Sequence, residues 1–254
     1  MNTRQGTRWL RRAQPLLGTL VEIGVRTAGA AGADPHALVD AAFAAIREAQ
    51  ASLSRFDPHS DLARFHALRC GERLTVQRVT QQVLAAAREL QAASAGVFDI
   101  SLGSAPEGWR LTGRELQKLS DDVQLDLGGI AKGHAVDLAV QTLVAHGAAA
   151  GWVNAGGDLR AFGDIDAPVW LRDEDNGGVR PFAHLREGAF ATSHFAAGSR
   201  SQLATGRPAR PASAHASVAA PLCLWADALT KVVALSDDAS HPLLARYDAC
   251  AWLH

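Results

Sequence analysis

The sequence has no marked excess of either charge: its formal net charge is −1 over 254 residues. Surfaces built for nucleic acid or anionic membranes have a clear basic surplus, so neither is the expected main partner. Cysteine is scarce. Cys70, Cys223 and Cys250 are odd in number, far apart and without a C-x-x-C, which argues against a disulfide framework or a cysteine zinc site. Long apolar runs are missing too. No stretch approaches the ~18 apolar residues of a membrane span, and the basic start MNTRQGTRWLRRAQPLLG lacks the roughly 7–15-residue apolar core of a secretory leader. A chain working in the cytoplasm, without membrane insertion, is therefore the expectation. No linker divides it, and at 48% hydrophobic it can bury one large core, so residues 1–254 are expected to form a single domain.

The most informative stretch is Asp126 to Leu143, DLGGIAKGHAVDLAVQTL. Val123 and Leu125 predict a short strand before it. Gly128, Gly129 and Gly133 then leave the backbone bare where something can come close. Val136, Leu138, Ala139, Val140 and Leu143 predict an apolar helix, with Gly147 as its stop. A glycine turn at a helix N-terminus offers free N–H groups and the positive end of a macrodipole, which suits a phosphate. Lys132 sits inside the turn. The segment is not a Walker A loop, since its lysine precedes a glycine and no Ser or Thr follows, and it lacks G-x-G-x-x-G spacing.

Elsewhere, the β-branched content of Leu16 to Val25 predicts a strand. Asp34-Pro35 opens a helix whose apolar face runs from Leu38 to Leu53, and Ser60 caps a short helix reaching Leu68. Leu74 to Gln77 predicts a strand, followed by a helix capped by Thr80 and ended by Gly96. Gly151 to Phe162 predicts two strands broken at Asn154 to Gly157. Asp164 to Gly178 predicts a hairpin around Val169 to Leu171 with a polar tip. Strands at Ala189 to Ser193, Ser217 to Ala220 and Tyr247 to Leu253 and a helix from Trp225 to Leu235 complete the reading.

DLGGIAKGHAVD, followed by WVNAGGDLRAFG, resembles the paired glycine motifs of the ApbE family, the FAD:protein FMN transferases. PLLGTLVEI, SRFDPHSDLARFHA, FDISLG, ATSH and WADALTKVVAL match further segments in family order, over roughly residues 15 to 254. The resemblance implies an α+β fold of the ApbE type, T-fold-like, with a flavin site between two packed halves. It also implies FAD as substrate, Mg²⁺ as cofactor and, as partner, an acceptor flavoprotein whose Ser or Thr receives FMN. By that resemblance the flavin is bound by Ser54, Arg55, Phe56, Phe98, Asp99, Gly128, Gly129, Lys132, Asp137, Asn154, Gly156, Gly157, Asp158, Thr192 and Ser193. Catalytic roles fall to Asp227 and Lys132, and metal ligation to the Ala131 carbonyl, Asp227 and Thr230.

The chain also departs from the family pattern. Ile100 stands where proline is usual, and Ser104 to Asp121 is short for the family, implying a trimmed pocket wall. Ser201 to Ala204, before Thr205-Gly206, replaces a run with a histidine and a D-P pair. One turn after Asp227, where an oxygen ligand is expected, stands Lys231. Such an i,i+4 pair is ordinarily a solvated ion pair worth roughly 0.2–0.5 kcal/mol. Two alternatives to transfer therefore stay open: an FAD-binding protein without transfer activity, and an FAD pyrophosphatase releasing FMN and AMP.

Overall fold

The computed structural model describes residues 9–27, 33–172, 177–195 and 215–254. Strands β1 (Trp9–Leu16) and β2 (Thr19–Arg26) form a hairpin. The expected single strand from Leu16 is thus interrupted, because Leu17 and Gly18 both turn at positive φ. Helix α1 (Pro35–Leu53) starts as expected: the Asp34 carboxylate accepts the His36 N–H at 3.0 Å and Pro35 occupies the first turn. Its inner face fully buries Phe43 and Ile46, each worth roughly 1.5–3 kcal/mol. Helix α2 (Asp61–His66) is capped by Ser60, whose hydroxyl accepts the Ala63 N–H.

Strand β3 (Arg73–Thr75) precedes helix α3 (Arg78–Ala93). Thr80 does not cap this helix. Its hydroxyl donates to Asp61 at 2.7 Å, and the same carboxylate oxygen accepts the Gln77 N–H, so Asp61 ties α2 to the start of α3. Two short strands unseen in the sequence, β4 (Trp109–Thr112) and β5 (Glu115–Lys118), join β3 in a three-stranded sheet. The strand expected at Val123 and Leu125 does not form. The N–H of Gln124 goes to Ser104 Oγ, that of Leu125 to His66 Nε2 and that of Asp126 to the Ile100 carbonyl, so side chains and a loop take the place of a strand partner.

Helix α4 (Ala131–Ala145) ends, as expected, before Gly147 at positive φ. It is followed by the hairpin β6 (Ala150–Ala155) and β7 (Asp158–Gly163), then by β8 (Ala167–Arg172) and β9 (Val179–Leu185). Residues 173–176, most of the expected polar tip, lie outside the described residues, as do Ser201 to Gly206. Strands β10 (Gly188–His194) and β11 (His215–Ala220) lead to helix α5 (Cys223–Ser236), the short helix α6 (Leu243–Arg246) and β12 (Cys250–Leu253). The main sheet is antiparallel throughout, in the order β1-β2-β6-β7-β10-β11-β12.

One hydrophobic core joins α2, α3, the small sheet and α5 through Phe65, Leu90, Trp109 and Leu229. A second joins α1, α4 and the main sheet through Ile23, Phe43, Leu143 and Val153. Leu17, Trp225 and Ala249 pack against both. Eleven of the fourteen residues of α5 are buried, as expected of a helix with no solvent face. The expected α+β class with two packed halves is thus what forms. Among the described residues, no helix is long and apolar enough to cross a membrane.

The α4 face also buries His134. Its Nε2 has no partner among the described residues, and burial pulls its pKa down to about 4. The unfolded chain therefore takes up this proton first as pH falls through 6.5, and stability is lost between pH 6.5 and about 4. By pH 5 the loss from this group should be about 2 kcal/mol. Urea unfolding at pH 7.5 and 5.0 checks it: unmodified protein should lose about that much more than His134→Leu, and equal losses would refute it.

Candidate functional site

Both glycine turns open onto one cavity of about 1210 Å³. This exceeds the usual range of small-molecule pockets, about 300–1,000 Å³, and suits a ligand of dinucleotide size. At the β6–β7 hairpin, Gly156 and Gly157 have φ of 63° and 105°, the two left-handed positions of a two-residue turn. Asn154 Oδ1 fixes the turn by accepting the Gly157 N–H at 3.1 Å. A Cβ on Gly156 would lie 2.4 Å from Thr19 Oγ1, so glycine here lets the β1–β2 turn close against the β6–β7 turn.

The other wall is the turn before α4. Asp126 Oδ1 accepts the Gly128 N–H at 2.7 Å and Oδ2 takes Arg55 at 2.6 Å, bracketing this turn to the loop after α1. Ser54 Oγ accepts the N–H groups of Phe56 and Asp57, which shapes that loop and leaves Phe56 84% exposed beside the cavity. Asp99 accepts from Ser101 N, Ser101 Oγ and Gly103 N, so its role is to hold the loop that presents Phe98.

Lys132 and Lys231 line the cavity floor, and their carboxylate partners lie beneath them. Lys132 is paired with Asp158, and Lys231 with Asp227; the acid side chains are 2% and 1% exposed, the lysines 30% and 11%. The Asp227–Lys231 pair is thus buried, contrary to the ordinary solvated pair. Lys231 Nζ also donates to Ser193 Oγ and to the Asp227 carbonyl, both at 3.0 Å. Burial pushes the Asp227 carboxyl up, but Lys231 and then Lys132 outweigh it and hold it below the usual range. Burial and neighbouring Asp227 push Asp158 up to about 6, against the pull of Lys132 and Lys231. Burial opposes the charge on Lys132, yet Asp158 and Asp227 prevail and raise its pKa.

The cavity therefore gathers Ser54, Arg55, Phe56, Phe98, Asp99, Gly128, Gly129, Ala131, Lys132, Gly156, Thr192 and Ser193 from the expected set. Asp158, Asp227 and Thr230 are buried behind its lining, and Asn154 and Gly157 are not part of it. Asp137 belongs to a different device: its two oxygens accept the N–H groups of Cys223 and Leu224 at 2.9 Å, capping α5, while Arg160 pairs with it at 2.6 Å. Gly133 also serves packing, since a Cβ there would lie 2.2 Å from the Cys223 carbonyl oxygen. The lining further includes Leu17, Gly18, Gln50, Leu102 and His194. Of these, all but Gln50 fall within segments that carry the sequence resemblance: Leu17 and Gly18 in PLLGTLVEI, Leu102 in FDISLG and His194 in ATSH.

The proposed metal donors do not fit a divalent cation as arranged. Lys231 occupies Asp227 Oδ1, and the Gly133 N–H approaches Oδ2 at 3.3 Å. Thr230 donates to the Asp227 carbonyl at 2.6 Å and pairs with Ser193 Oγ at 2.7 Å. Magnesium demands several free hard oxygens, and these are engaged. Among the described residues, no group of three or more His, Cys, Asp or Glu could hold a metal.

The chain is 29% identical over 155 residues to an FAD:protein FMN transferase of Rhodobacter capsulatus, covering 48% of this chain and 30% of that protein. It is 26% identical over 207 residues to one from Treponema pallidum (strain Nichols), covering 66% and 57%. The matches thus span less than two thirds of these curated relatives. In fold, the chain is similar to a mutant of the flavin transferase ApbE from Vibrio cholerae, with a TM-score of 0.82 at 20% identity over 97% of this chain and 93% of that one. The model of the ApbE family matches residues 17–251, from the β1–β2 turn into the last strand, and the chain belongs to that family.

Proposed function

We propose that this chain binds FAD in the cavity between its two glycine turns and transfers FMN to a Ser or Thr hydroxyl of an acceptor flavoprotein. The observation that most supports this reading is the pair of lysines lining the cavity, with Lys231 lying against Gly129. A pyrophosphate needs cationic charge at a bare backbone approach, and an isoalloxazine needs an apolar or aromatic wall such as Phe56 and Phe98 offer. In the reaction the acceptor oxygen bonds to the FMN-side phosphorus, the phosphorus–oxygen bond to AMP breaks, AMP leaves with the electron pair, and the hydroxyl proton is released. Lys132 and Lys231 would hold the phosphates and offset the charge that develops on them. Mg²⁺ enters this reading through the family resemblance alone. No step is assigned to it, given the donor arrangement.

Incubation with FAD, with and without an acceptor protein, separates the three activities left open by the sequence. Transfer yields AMP and flavinylated acceptor; a pyrophosphatase yields AMP and free FMN; a binding protein yields neither. FAD titration should quench flavin fluorescence, and Gly129→Val should weaken binding at least about tenfold. A valine there would push on Lys231, whose Cε lies 3.1 Å from the position of a Cβ, without demanding a left-handed backbone. No quenching by the unmodified protein would end the flavin reading.

A further inference from the structure

We infer that this chain holds its anionic ligand with a tethered ammonium, that of Lys231, in the place of a divalent cation, so that FAD binding needs no metal. The inference rests on the FAD reading above and goes beyond it in naming the source of the positive charge.

Three observations support it. The Lys231 ammonium is centred among three oxygens, Asp227 Oδ1, the Asp227 carbonyl and Ser193 Oγ, which is the environment a cation occupies. Those contacts fix the side chain, and the aliphatic part lies against Gly129, so the charge is placed before any ligand arrives. The four charged groups are also layered. Lys132 and Lys231 line the cavity, while Asp158 and Asp227 are buried and absent from its lining. The cluster is neutral in sum but presents its positive side to the ligand.

Charge arithmetic points the same way. Two carboxylates already have two ammoniums, so a divalent ion would bring two further positive charges into contact range of both lysines with no unpaired carboxylate in this cluster to receive it. Displacing Lys231 would strand a buried ammonium or send it into the cavity. A pyrophosphate instead meets two ammoniums that keep their carboxylate partners; Lys231, whose three N–H groups are engaged, attracts it through its charge or by turning one N–H from Ser193 Oγ toward it.

Isothermal titration of the unmodified protein with FAD, in EDTA and again in millimolar Mg²⁺, tests this directly. The expected result is a Kd that differs by less than about threefold between the two buffers; a greater weakening in EDTA overturns the inference. FAD that binds only with Mg²⁺ leaves the proposed function standing and removes this inference alone. Failure to bind FAD in either buffer removes both. Titration with Mg²⁺ alone should give no heat with the unmodified protein, whereas Lys231→Thr, which exchanges the ammonium for a neutral oxygen, should acquire it. Mg²⁺ heat in the unmodified protein would likewise overturn the inference.

Discussion

Gly133→Ala should leave a protein destabilised by about 3 kcal/mol or more, beyond the usual cost of overpacking, with the thermal midpoint lowered by roughly 6–12 °C. The added methyl would lie 2.2 Å from the Cys223 carbonyl oxygen and 2.9 Å from Leu224 Cα, both backbone atoms at the start of α5. Those atoms cannot easily retreat. The N–H groups of the same two residues are bonded to the Asp137 oxygens, and Asp137 is held in turn by Arg160. Moving α5 away from α4 would also stretch the Gly133 N–H from Asp227. Calorimetry or urea unfolding gives the answer, and a loss below about 1 kcal/mol would mean that the two helices separate more freely than this contact implies. Gly147→Ala is the control: it adds a methyl into open space, and only its positive φ penalises it.

That contact shows which meanings of a glycine a sequence can reveal. In DLGGIAKGHAVD the bare backbone was legible, but not what approaches it. Gly128 and Gly129 face the cavity, while Gly133 faces a helix 90 residues further along the chain. Local chemistry is legible where it stays local. Asp34-Pro35 starts α1, Ser60 caps α2, and Asn154 to Gly157 turns β6 into β7. The misses share a longer range. Asp137 looked like a ligand-facing acid in a helix's second turn, yet its partners are N–H groups of residues 223 and 224. Thr80 looked like a cap until Asp61 claimed its hydroxyl. Strands β4 and β5 are four residues each, too short for alternation to show. The strand expected at Val123 and Leu125 fails because its N–H groups go to a local turn at Ser120, to the Ile100 carbonyl and to the side chains of Ser104 and His66 rather than to a neighbouring strand.

The Asp227–Lys231 pair is the sharpest case of such context, since the same spacing means little at a surface and much in a core. Asp227→Ala should cost about 3–5 kcal/mol, the range for removing one partner of a buried ion pair, and roughly six times or more the worth of an exposed helix pair. The loss leaves an ammonium with only Ser193 Oγ and a carbonyl, and leaves the Gly133 N–H without its acceptor. Because Lys231 borders the cavity, the freed ammonium can turn toward water, which places the expected value near the lower end. Lys231→Met should also destabilise, by stranding a fully buried carboxylate. The double variant should lose less than the two single losses combined, since no charge is then left unpaired. Urea midpoints of the four proteins close this cycle. Additive losses within about 0.5 kcal/mol would show that the two groups do not depend on each other, and would remove the basis for treating Lys231 as a charge held in place by Asp227.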